Sequence, residues 1–255
     1  MIKYFILFCF STVLQAQSFK LIPQDSVKVN FEEYWGLDAV QNKYFSTQNT
    51  VYKVTPTQTF VYTSNLGGTL SQVECFNALH TLLFFKNTNK VVVLDNLFNE
   101  IQIITFKDIV ADFIKPASQN ECWFFDSLTQ KIGLYNFTTS STRWISPIVT
   151  SPIKQAYSNY NFLVWINQDN EWYQMDKFGQ INYFGTVTKD ANAICMNEKE
   201  LFFTKKDQAF LMLAFKEDVI ALGRTKKMIK KIFYQSGILA IFTNSLLTNY
   251  NLKSQ

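Results

Sequence analysis

Six short apolar pairs recur along the chain at nearly constant intervals, and this periodicity constrains the fold more than any other feature. They lie in Tyr44-Phe45-Ser46, Phe84-Phe85-Lys86, Phe124-Phe125-Asp126, Val164-Trp165-Ile166, Phe202-Phe203-Thr204 and Ile241-Phe242-Thr243. Their second members, at 45, 85, 125, 165, 203 and 242, are 40, 40, 40, 38 and 39 residues apart. A sustained period of about 20–50 residues marks a repeat architecture, in which each unit buries its faces against its neighbours.

Each pair is followed, after a polar turn, by a second strand-like run, at 51–54, 91–95, 132–136, 172–176, 210–213 and 247–251. These runs are rich in β-branched, aromatic and aliphatic residues, which suit a pleated, half-buried surface. A third run follows in five units, around Phe60, Ile101, Trp144, Ile181 and Val219. Another precedes each pair, around Asp38, Glu74, Asp112, Gln155, Asn192 and Lys231. The unit is therefore a four-stranded meander, and four strands of about five residues plus turns fill about 40 residues. Such a sheet covers both faces only by stacking on copies of itself, and closing the stack into a ring removes its open ends.

Several second runs end in Asp or Asn, at Asp95, Asn136, Asp176 and Asn251. In this the chain resembles six-bladed β-propellers of the NHL and TolB-like type. The resemblance implies an all-β fold: a six-bladed propeller of four-stranded antiparallel blades in one domain over 17–255. The sixth unit stops without a fourth run, whereas residues 18–31 are strand-like and belong to no unit. The N-terminal strand is expected to close the last blade. A linear solenoid is the rival, and it would need polar caps that the apolar N-terminal strand does not supply.

Composition agrees. Hydrophobic residues make up 47% and charged residues only 17%, with 25 Phe and 12 Tyr but only 8 Gly and 5 Pro, which excludes a disordered or collagenous chain. The net charge of +4 is too small for a dedicated nucleic-acid binder, so no nucleic acid is expected as partner.

Lys3 precedes an apolar stretch over 4–14 that ends at Gln15-Ala16-Gln17. This is the form of a secretory signal peptide, with cleavage expected after Ala16. The stretch is shorter than the roughly 17–25 residues that span a bilayer, so a membrane-spanning chain is not expected. The leader, together with a bias toward Phe, Asn, Lys and Ile, resembles exported flavobacterial proteins, and the mature chain is expected to be secreted or periplasmic. Asp25-Ser26-Val27 and Asp126-Ser127-Leu128 resemble the O-glycosylation acceptor pattern of such proteins. Asn136-Phe137-Thr138 fits the N-glycosylation pattern.

Chemistry-bearing motifs are few. Cys75, Cys122 and Cys195 show no C-x-x-C spacing and are read as buried small hydrophobes, although one disulfide with a free thiol is also open to an exported chain. The single histidine, His80, falls in a turn, and neither a nucleophile elbow nor a phosphate-binding loop occurs, so no cofactor is expected. Asp38, Glu74 and Asp112, on runs expected to be innermost, form a candidate set for Ca²⁺ or Mg²⁺, as in six-bladed lactonases. Lys231 on the same level opposes that reading. Arg224, Lys226 and Lys227 open a strongly basic connection between the fifth and sixth units and are candidate partner-binding residues. The reading that follows is an exported, non-catalytic propeller scaffold that binds a protein or another envelope component. A metal-dependent, lactonase-like hydrolase with an axial site is the alternative.

Overall fold

In the computed structural model, which describes residues 19–75, 79–216, 218–225, 228–235 and 237–254, each repeat is one four-stranded antiparallel sheet, and six such blades form a propeller. Blade 1 runs from its inner strand Glu33–Leu37 through Lys43–Thr47 and Thr50–Val54 to its outer strand Thr59–Thr63. The inner strands of blades 2 to 6 are Gln72–Glu74, Ala111–Pro116, Ile153–Ser158, Ile194–Met196 and Lys231–Gln235. Among the described residues the one helical turn is Lys86–Thr88, and no helix is long and apolar enough to cross a membrane.

The repeated pairs have a physical explanation. Successive side chains on a strand point to opposite faces, so two adjacent large apolar residues send one side chain toward each neighbouring blade. Six buried clusters result, one for each junction. Phe45 meets Phe242 between blades 1 and 6, Tyr44 meets Phe85 between blades 1 and 2, and Phe84 meets Phe124 between blades 2 and 3. Phe125 then joins Trp165, Val164 joins Phe203, and Phe202 joins Ile241. Burying one such side chain contributes about 1.5–3 kcal/mol, so a junction stands on a handful of residues.

The first of these clusters closes the ring. Tyr34 of blade 1 stacks edge-on against Phe233 of blade 6, with ring centroids 4.7 Å apart, and Ala240, Phe242 and Leu247 are buried with it. A linear array would leave both of these faces in water. Blade 6 itself is completed from the other end of the chain: Phe19–Lys28 pairs antiparallel with Leu246–Ser254, with Lys20 opposite Lys253 and Lys28 opposite Leu246. The first strand among the described residues thus supplies the fourth strand of the last blade.

The meander gives the ring two unlike faces. Inner strands begin at what we term the upper face, which carries the blade-to-blade connections and the turns between second and third strands. They end at the lower face, which carries the inner-to-second and third-to-outer turns.

Candidate functional site

The six inner strands surround an axial channel of two chambers. The upper chamber, of about 540 Å³, is lined by Lys115, Lys154, Lys230 and Lys231 together with Glu74 and Asp112. The lower one, of about 490 Å³, is more apolar, with Trp35, Cys75, Tyr157, Cys195 and Phe233 on its walls. Trp35, Val73, Glu74, Lys115, Gln155, Ala156, Ile232 and Phe233 belong to both and form a waist. Lys115 and Glu74 meet there at 2.7 Å, bridging blades 2 and 3, and the Gln72 amide donates to the same carboxylate oxygen at 2.7 Å.

Charge in the upper chamber is largely internal. Lys86 pairs with Asp112. Lys230 lies 2.9 Å from Glu33, and Lys231 pairs with the other oxygen of that carboxylate while its ammonium stands 4.3 Å from the Trp35 ring centre. Burial alone would raise the Glu33 pKa, but hydrogen bonds and charge from Lys231 and Lys230 outweigh it and hold Glu33 below its ordinary value. Among the described residues Lys154 has an amide partner and no carboxylate, donating to Asn170 Oδ1 at 3.1 Å.

Among the described residues Cys75, Cys122 and Cys195 are unpaired, with Cys75 and Cys122 buried and Cys195 half-buried. Desolvation pushes the Cys195 thiol up to about 12 and raises Cys75 and Cys122 further. At neutral pH all three are thiols rather than thiolates, and so are poor nucleophiles.

The candidate metal set is dispersed. Asp38 lies one residue beyond the inner strand of blade 1, fully buried in a lower-face turn, where it accepts from the Val40 and Asn42 N–H groups, the Asn42 amide and the Tyr44 hydroxyl. Glu74 is at the waist, and Asp112 sits in a bulge at the upper mouth. Among the described residues no three His, Cys, Asp or Glu side chains are gathered for a metal. One expected position also shifts: Asn192 precedes its inner strand, and Lys231, expected to oppose a cation at this level, meets the carboxylate of Glu33.

Arg224 ends the outer strand of blade 5, exposed at the upper face; Lys226 and Lys227 lie outside the described residues, as does the leader over 1–16. His80 is on the lower face between the first two strands of blade 2. Trp123, Trp165 and Trp172 are buried in the junctions between blades.

A feature the sequence reading passed over is a repeated lower-face turn. Asp95 Oδ1 accepts the N–H groups of Leu97 and Asn99, both at 2.8 Å, and Asp176 Oδ1 accepts those of Phe178 and Gln180, both at 2.9 Å. With the Asp38 turn these make three copies of Asp-x-apolar-x-Asn/Gln, and in each the fourth residue is left-handed: Gln41 at φ 69°, Phe98 at 67° and Gly179 at 90°. The second residue after each aspartate points to solvent. Val40 is 63% exposed, Leu97 55% and Phe178 95%. The shared five-residue pattern was the signal available in the sequence.

No protein-family model and no curated protein matches the chain. Solved structures do match in shape. A streptogramin B lyase is similar over 93% of this chain and 98% of its own, with a TM-score of 0.60 and 12% identity. A catalytically inactive virginiamycin B lyase from Staphylococcus aureus, with quinupristin, gives 0.59 and 11% over 92% and 99%. A chain in a mitotic checkpoint complex gives 0.59 and 8% over 98% and 97%. At such identities the likeness establishes the propeller fold and nothing narrower.

Proposed function

We propose that this chain is an exported, non-catalytic propeller scaffold of a bacterial envelope and that it docks a partner protein on its lower face. One observation carries the reading: Val40, Leu97 and Phe178 are held out in water on turns already closed by hydrogen bonds, with Phe178 almost fully exposed. An aromatic side chain on a pre-ordered turn anchors an interface at little further entropic cost, and aromatic anchors dominate interface energetics. The channel supports the non-catalytic part, since Glu33, Glu74 and Asp112 are engaged by lysines and the three thiols are held protonated. The basic connection opened by Arg224, Lys226 and Lys227 is the competing docking surface.

Affinity capture from the producing cell, comparing variants, tests the reading. Leu97→Ser with Phe178→Ser is expected to abolish recovery of the partner that the unaltered protein captures. Its thermal midpoint should stay within about 2 °C, as for exposed substitutions generally. Reversal of Arg224, Lys226 and Lys227 to Glu should leave recovery intact. Loss of the partner in the reversal alone would move docking to the upper face. Intact mass of the captured protein should begin at Gln17; a retained Met1–Ala16 segment would remove export by a cleaved leader from the proposal.

A further inference from the structure

The upper chamber holds more positive charge than its own acids satisfy. Lys115 is matched by Glu74 and Lys86 by Asp112, but Glu33 alone faces both Lys230 and Lys231, and Lys154 faces no carboxylate among the described residues. Two positive charges are left over at one concave site of about 540 Å³, whose walls include Phe113, Ile153 and Phe233. Low-dielectric walls focus the field of such charges into the cavity, where an anion of matching charge lowers the energy most. Lys154 and Lys231 both line the chamber, in the inner strands of blades 4 and 6, on either side of Asn192 of the intervening blade. Their ammonium groups donate without accepting, so their complement is an acceptor-only oxygen group.

We propose that the upper axial chamber is a binding site for a small doubly charged oxyanion, either a phosphate group or a dicarboxylate. Lys154 and Lys231 hold the two charges, while the Glu74–Lys115 pair forms the neutral floor. The site is independent of lower-face docking. It needs no metal and no covalent step.

Titration calorimetry on the full chain at pH 7.5, with inorganic phosphate in one arm and succinate in the other and chloride balancing ionic strength, tests this. The expected result is saturable binding at one site per chain in at least one arm, and the tighter arm identifies the group. Removing one charge-assisted hydrogen bond should weaken it about tenfold or more in Lys154→Gln and in Lys231→Gln. Lys154 is exposed, and Lys231→Gln leaves Glu33 its pair with Lys230, so both variants retain the packing of the fold. Lys199→Gln, on the lower face, should bind as the unaltered chain does. Absence of saturable binding in both arms would overturn the proposal, as would equal binding in Lys154→Gln, Lys231→Gln and Lys199→Gln, the behaviour of non-specific surface charge.

Discussion

Asp126 shows how much a single side chain does here. It is fully buried at the end of the second strand of blade 3. It accepts from the N–H groups of Val110, Leu128 and Thr129 and from the Thr129 hydroxyl. Burial works to raise its pKa, but these four donors prevail and hold it below the ordinary value. A carboxylate so depressed contributes stability that is present above its unfolded pKa of about 4 and is lost as pH falls through the lower folded value. Asp126→Asn turns one accepting oxygen into a donor that faces donors, and should cost about 1–3 kcal/mol in chemical denaturation at pH 7. The same variant should lose less stability than the unaltered chain between pH 4 and the acid limit, because one titrating group is gone; a parallel acid limb would refute the assignment. In the sequence Asp126 was visible only as the polar end of Phe124-Phe125-Asp126 and as part of an Asp-Ser-Leu pattern. Asp38 was misplaced on an inner strand for a related reason: a bulge between Tyr34 and Gly36 adds a residue, and in a strand this short one added residue shifts every later position to the other face.

At the scale of the element, the blades were legible because each pair of adjacent large residues marks a second strand and serves two junctions at once. Their heights were less so. Phe45 is the third residue of its strand, whereas Phe85 and Phe125 are the fifth of theirs, since turn lengths vary while the strands stay in pairing. Inner strands were the hardest to read. They are as short as three residues in blades 2 and 5, and in blades 1, 3 and 4 they are bulged, so alternation is broken where it would reveal the channel. Close packing within a blade is testable at Gly133, in the third strand of blade 3. A Cβ there would run into the buried Phe124 ring and stand 3.1 Å from the Arg143 carbonyl oxygen. Gly133→Ala should therefore destabilise by about 1–3 kcal/mol through overpacking, despite the usual gain on replacing glycine. A gain in stability by denaturant titration would show that blade 3 is loosely packed.

For the whole molecule, closure joins the two ends of the chain. The N-terminal strand covers the edge of Leu246–Ser254, and Val29 just beyond it is buried in the junction of blades 6 and 1. Deleting residues 1–31 should expose that edge and lower the thermal midpoint or drive aggregation, whereas deleting 1–16 should do neither. Equal melting of the two truncations would contradict closure by this strand. The ring in turn fixes the lower-face turns relative to one another, presenting Val40, Leu97 and Phe178 from blades 1, 2 and 4 on one rigid surface. The most direct test of the account is amide hydrogen exchange of the protein, free and bound to its captured partner, resolved turn by turn. The account predicts new protection over 38–42, 95–99 and 176–180 with the upper-face connections unchanged. Protection confined to the connection after Arg224, with the three lower-face turns exchanging as in the free protein, would contradict it.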